Sequence, residues 1–66
     1  MQITINSDAQ TLADGISLSA LLAQFDLAPE RVAVEVNERL VRRPTFAQTT
    51  LQDGDRVEIV TLIGGG

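Results

Sequence analysis

The chain has 66 residues with only two aromatic side chains, it carries a formal net charge of −4 at pH 7, and it contains neither cysteine nor histidine. A chain this short forms one domain with a small core. It has no thiol or imidazole to serve as nucleophile or base, and neither the basic surface nor the aromatic platforms that usually bind nucleic acid. We therefore expect a single non-enzymatic domain over residues 1–66.

The N-terminal residues show no targeting signal. They lack a basic stretch followed by a long apolar one, and no segment approaches the ~20 apolar residues of a membrane span. We expect a soluble, cytoplasmic protein.

A β-hairpin is predicted at the start of the chain. Residues 1–6 alternate between apolar and polar side chains, as expected of a half-buried strand. Residues 7–9 should form a turn, and residues 10–13 should return as a second strand that ends at the Asp14-Gly15 turn pair.

A helix of two to three turns follows. Four apolar residues recur at helical spacing and should pack together against the core: Leu18, Leu21, Leu22 and Phe25. Ser17 is a suitable N-cap, and Ile16 before it is placed to pack on Leu21 as a hydrophobic staple. The helix should end near Asp26, before Pro29.

The most strand-like segment is residues 32–37, in which three valines share one face. Asn37-Glu38 should turn the chain into a short strand at Leu40-Val41. Residues 42–52 are irregular, with Phe46 and Leu51 as core anchors. The Arg42-Arg43-Pro44 cluster is typical of a solvated loop, and a contact between Arg43 and a partner is the alternative.

The segment Asp53-Gly54-Asp55 predicts a turn in which the carboxylates accept hydrogen bonds from nearby backbone. Two carboxylates without further oxygen ligands are too few to indicate a metal site. We expect no bound metal or cofactor.

The last predicted strand covers residues 56–62. Val57 and Ile59 should face the core, so Val60 and Leu62 should point to the opposite side. These two side chains either form an exposed docking surface or are covered by a loop. The order of elements predicts an α+β fold, with one helix packed on one face of a mixed sheet of four to five strands.

The chain ends on Gly64, Gly65 and Gly66. A flexible tail or an expression remnant is one explanation, and a working terminal carboxylate is the other. Residues 63–66 can extend about 13 Å at ~3.3 Å per residue, and glycine lets them enter a narrow cleft. A free carboxylate is a poor electrophile and must be activated, for example as a mixed anhydride with AMP.

Several of these features occur together in one known family. Residues 32–43, residues 51–60 and the closing diglycine resemble the thiamine-biosynthesis sulfur carrier (ThiS-type) family, whose members have the ubiquitin-like β-grasp fold. The resemblance depends on the combination of Asn37, Arg43, the Asp53-Gly54-Asp55 turn and the terminal glycines. It implies that the first and last strands pair in parallel and that residues 63–66 form a flexible reactive tail.

The resemblance also implies a function. Gly66 would be adenylated by an E1-like enzyme of the ThiF type with ATP, converted to a thiocarboxylate with a sulfur donor such as a cysteine desulfurase, and used by a ThiG-type thiazole synthase. The chain itself would bind no cofactor. The expected partner-binding residues are Arg43, Val60, Leu62 and Ile63, and Gly64 and Gly65 would form the tail.

Other functions remain open at this point. The small subunit of molybdopterin synthase and further sulfur carriers share the fold and the terminus, although the former tends to be longer. A ubiquitin-like modifier would form an isopeptide bond instead, and a docking module would not need Gly66.

Overall fold

The computed structural model describes residues 1–62. Five strands form its sheet: β1 Gln2–Ile5, β2 Asp8–Thr11, β3 Val32–Val36, β4 Arg39–Val41 and β5 Arg56–Thr61. The α-helix, α1, covers Leu18–Gln24, and 3₁₀-helical segments cover Pro29–Arg31 and Arg43–Gln48.

The sheet is mixed, with the strand order β2-β1-β5-β3-β4. The central pair, β1 and β5, is parallel, and the other three pairs are antiparallel. With α1 against one face, this arrangement is the predicted β-grasp architecture. The parallel pairing of the first and last strands, which the family resemblance implied, is also present.

Two tight turns join the antiparallel pairs at the outer edges of the sheet. Asn37 and Glu38 have φ values of 53° and 69°, so both central residues of this turn have a left-handed backbone conformation. Two-residue turns of this kind are favoured in β-hairpins because they match the twist of the two strands. Asn6 and Ser7 form the same kind of turn between β1 and β2, with φ values of 50° and 74°.

The turn between β1 and β2 differs from the sequence prediction. The turn expected at residues 7–9 lies at Asn6-Ser7, and β2 covers Asp8–Thr11 instead of residues 10–13. The reason is that asparagine tolerates the left-handed backbone of the first turn position, which lets the strands be joined by only two residues.

The helix begins as predicted, because the Ser17 side chain accepts a hydrogen bond from the backbone N–H of Ala20 at 3.1 Å. It ends at Gln24, and Phe25 is its C-cap. Asp26, with φ 57°, and the hydrogen bond from Leu27 N to Leu22 O at 2.8 Å complete the termination. Phe25 was expected in the core and is instead 37% exposed, because the chain has already left the helix there.

The core lies between α1 and the sheet. Its fully buried members include Leu18, Leu21, Leu22, Leu51, Val34 and Val57. Phe46, in the second 3₁₀ segment, is also buried, so both predicted anchors of the irregular region are confirmed. Both side chains belong to the same core cluster as the buried residues of α1 and the sheet.

The turn before β5 lies where the sequence predicted it, and its carboxylates accept backbone hydrogen bonds, although only Asp55 bonds the backbone of the turn itself. Asp53 Oδ1 accepts a hydrogen bond from the backbone N–H of Gln2 at 2.7 Å. Asp55 Oδ2 accepts one from the N–H of Gln52 at 2.8 Å, and its Oδ1 accepts one from Asn37 Nδ2 at 3.0 Å. Both carboxylates therefore hold the loop in place.

Candidate functional site

The site is built on β5, the central strand of the sheet. It lies between β1 and β3, and its last residue is Thr61. The strand-like pairing continues for one more residue, because the backbone N–H of Leu62 donates to Arg31 O at 2.7 Å. Residues 63–66 follow directly in the sequence, so the end of the chain is attached to the central strand of the sheet.

Side chains of β5 alternate between the two faces of the sheet. Val57 and Ile59 are buried against the core, whereas Val60 is 60% exposed and Leu62 is 52% exposed. This alternation confirms the predicted orientation. Within residues 1–62 no loop covers Val60 or Leu62, so the structure favours the exposed surface over the covered one.

Leu40 adds a third apolar side chain to this surface, and sequence reasoning did not find it. It is 66% exposed. The register pairs Leu40 with Glu35, and Glu35 with Glu58 on the next strand. Directly paired residues share a face, so Leu40 lies on the same side of the sheet as Glu58 and Val60.

We call this surface the open face. It consists of Ala33, Glu35, Leu40, Glu58, Val60 and Leu62. The two-residue turn at Asn37-Glu38 fixes the register of β3 and β4, and hence the position of Leu40. That turn was recognised from the sequence, and counting outward from it is the signal that could have identified Leu40.

The open face is charged as well as apolar, and a cation borders it, because Arg56 is exposed and lies two positions before Glu58 on the same side of β5. Glu35 and Glu58 are exposed and lie directly opposite one another on adjacent strands. Like charges in this position repel, so the pair costs the free protein some stability. A partner with a basic group at this position would remove that cost.

Arg43, the other predicted contact residue, lies at the start of the second 3₁₀ segment, two residues after β4. Its side chain is exposed and forms no ion pair with a carboxylate of residues 1–62. Its guanidinium group is therefore accessible to a partner.

The remaining predicted site residues are Ile63, Gly64, Gly65 and Gly66, and they lie outside the described residues. Their roles stay predictions. Over residues 1–62, no group of three acidic, histidine or cysteine side chains is placed to hold a metal ion. A shallow groove of about 280 Å³ borders Gln2, Thr4 and Gly54, near the opposite end of β5 from Leu62.

Comparisons with known proteins agree with this geometry. The model of the ThiS family matches residues 2–66. The chain belongs to the ThiS family. Sulfur carrier protein ThiS of Escherichia coli K12 is 36% identical over 66 residues, which is 100% of both chains. The crystal structure of thiamine biosynthesis protein ThiS from Geobacter metallireducens superposes with a TM-score of 0.86 at 36% identity, again over 100% of each chain.

A longer relative is also similar to this ThiS-family chain. A thiazole synthase of Magnetococcus marinus is 41% identical over 66 residues, which is 100% of this chain and 20% of that protein. The chain thus spans one fifth of the length of that relative. In the part of the chain that the structure describes, no helix is long and apolar enough to cross a membrane.

Proposed function

We propose that this ThiS-family chain is a sulfur carrier of thiamine biosynthesis, with the terminal carboxyl group of Gly66 as the sulfur site. The observation that carries the proposal is the placement of an exposed apolar face on the same strand that leads into residues 63–66. The end-to-end similarity to a sulfur carrier protein supports it.

The proposed chemistry needs no side chain of this protein. The Gly66 carboxylate attacks the α-phosphate of ATP in the active site of an E1-like adenylating enzyme of the ThiF type, and pyrophosphate leaves. A persulfide of the sulfur donor, such as a cysteine desulfurase, then attacks the acyl carbon and AMP leaves. Reduction of the resulting acyl disulfide by a thiol releases the thiocarboxylate. ATP is thus consumed by the partner, and this chain is a substrate.

The open face is the proposed docking surface for the adenylating enzyme. Val60 and Leu62 present apolar area within a few residues of Gly66, so an enzyme that binds them holds the carboxyl group near its own active site. Ile63 would extend this contact, and Arg43 would add a charged contact of its own. Gly64 and Gly65 would allow passage through a narrow channel.

Thiazole synthase is the proposed sulfur acceptor. The Magnetococcus marinus relative carries that name and includes a segment similar to this whole chain within a single protein. Fusion in one polypeptide is a common arrangement for proteins that act together. Because the proposed activation consumes ATP, we propose that the protein acts in the cytoplasm.

Deletion of the gene tests the proposed pathway. The deletion strain should require the thiazole precursor of thiamine for growth, and a plasmid copy of the wild-type gene should remove that requirement. A copy that lacks the Gly66 codon is the matched control, and it should fail to do so. A requirement for molybdopterin instead would assign the chain to that pathway, and rescue by the copy without Gly66 would contradict the proposed site.

A further inference from the structure

The last part of β5 has different hydrogen-bond partners on its two sides. On one side, β3 pairs with β5 as far as Thr61, and Arg31 O accepts the N–H of Leu62. On the other side, β1 pairs only with the first two residues of β5, because the chain turns away at Asn6-Ser7 into β2. Beyond that point, no strand among residues 1–62 lies beside β5 on the β1 side.

The side chain of Asn6 takes the place of the missing strand. Its Oδ1 accepts the backbone N–H of Ile59 at 2.8 Å, and its Nδ2 donates to Ile59 O at 3.0 Å. The backbone N–H of Asn6 donates to Val57 O at 2.9 Å. The amide therefore satisfies both the N–H and the C=O of Ile59, one step beyond the end of the parallel ladder, as a directly paired residue of an antiparallel strand would.

The location of this contact connects it to the end of the chain. Backbone N–H and C=O groups alternate between the two sides of a strand, so Leu62 is bonded on the β3 side and Ile59 on the β1 side. These two contacts hold opposite sides of the segment 59–62. Without the Asn6 contact, the segment from which residues 63–66 continue would be held only by β3 and Arg31.

We propose that Asn6 is a positioning residue for activation of the chain end. By holding Ile59, its side-chain amide fixes the twist and direction with which the chain leaves the sheet, and so sets where the adenylating enzyme finds the terminal carboxyl group. This inference rests on the proposed function.

Two substitutions isolate the contact, and a third is a matched control. Asn6→Gly removes both side-chain bonds and keeps a residue that adopts the left-handed backbone. Asn6→Asp retains the acceptor for Ile59 N–H and loses the donor. The control is Asn37→Gly, because Asn37 has nearly the same φ, 53°, and also bonds β5, but at its start, where Asn37 Oδ1 accepts the N–H of Arg56 at 2.9 Å.

The first readout needs no partner. In Asn6→Gly, the amide hydrogen of Leu62 should exchange with solvent about tenfold faster than in the wild type, since the strand end opens more easily without the Asn6 bonds. Asn37→Gly should leave the exchange rate of Leu62 unchanged. Nuclear magnetic resonance measures both, and it also shows whether each variant is folded.

The second readout is adenylation by the E1-like enzyme that activates the wild-type protein. Asn6→Gly should lower kcat about tenfold, because a misplaced reacting group loses rate even when it is bound. The KM for the carrier should stay within about twofold, because the open face is intact. Asn37→Gly should match the wild type, and Asn6→Asp should lie between them. If Asn6→Gly fails to fold, Asn6→Asp gives the comparison.

The outcomes separate this inference from the proposed function. A wild-type protein that is not adenylated overturns the proposed function, and the positioning role with it. A wild-type protein that reacts while Asn6→Gly has the same kcat overturns the positioning role alone. Equal exchange of Leu62 in the two glycine variants also overturns it, because the contact would then not restrain the strand end.

Discussion

At the scale of single residues, Leu62 combines a fixed backbone with an exposed side chain. Its N–H donates to Arg31 O at 2.7 Å, and its side chain is 52% exposed. The hydrogen bond does not depend on the side chain. A substitution at Leu62 can therefore change the surface that a partner meets without disturbing the sheet.

We predict that Leu62→Asp weakens binding to the adenylating enzyme at least tenfold and lowers the free energy of unfolding by less than about 1 kcal/mol. A charge at the centre of an apolar contact must be desolvated on binding, whereas in the free protein it stays in water. Titration calorimetry and urea denaturation measure the two effects.

Ala20→Asp is the control, since Ala20 is exposed on the helix, in the layer that covers the other face of the sheet. It should leave binding unchanged. If Leu62→Asp unfolds the domain, Leu62 belongs to the core and the open face is smaller than described.

At the scale of secondary-structure elements, the strands show which parts of the fold a local sequence pattern can predict. Alternation along β5 predicted that Val57 and Val60 face opposite sides, because that depends only on the strand itself. The exposure of Leu40 depends on the register of β3 and β4, so it could be found only by counting across the turn that joins them. The bond between Asn6 and Ile59 joins residues 53 positions apart, so no local pattern could reveal it.

The helix shows the same distinction. Ser17 was correctly predicted as the N-cap, because capping depends on residues within one turn. The prediction that Phe25 packs in the core was wrong, because the helical spacing of apolar residues continues one position past the end of the helix. Asp26 in the left-handed conformation decides that end, and aspartate is a weaker signal for it than glycine.

The facing residues Glu35 and Glu58 lead to a prediction about the stability of the sheet. Glu58→Gln should raise the free energy of unfolding by about 0.2–1 kcal/mol at low ionic strength, because it removes a like-charge pair across adjacent strands. The gain should shrink in high salt, where surface charges are screened. Urea denaturation at two salt concentrations measures it.

Glu30→Gln is the control, because Glu30 is exposed in the first 3₁₀ segment and lies outside the sheet. It removes the same charge and should give a smaller gain or none. Equal gains from the two substitutions would show that net charge, and not the cross-strand pair, is responsible.

For the whole molecule, the structure explains how a short chain without cysteine or histidine can take part in chemistry. The fold uses most of its apolar residues for one core and leaves exposed apolar and charged side chains on the strand that leads to residues 63–66. This chain would supply the carboxyl group of Gly66, and partner enzymes would supply the catalytic side chains. From the sequence alone, the fold could be predicted and the terminal glycines could be singled out as the reactive end. The full extent of the open face could be seen only from the register of the sheet.

The most direct test of the central claim is the intact mass of the protein after incubation with the adenylating enzyme, ATP and a sulfur donor. We predict that the full-length chain exchanges one oxygen atom for one sulfur atom, and that a folded variant lacking Gly66 does not. Sulfur gained by the variant without Gly66, or no sulfur gained by an adenylated full-length chain, would contradict the account.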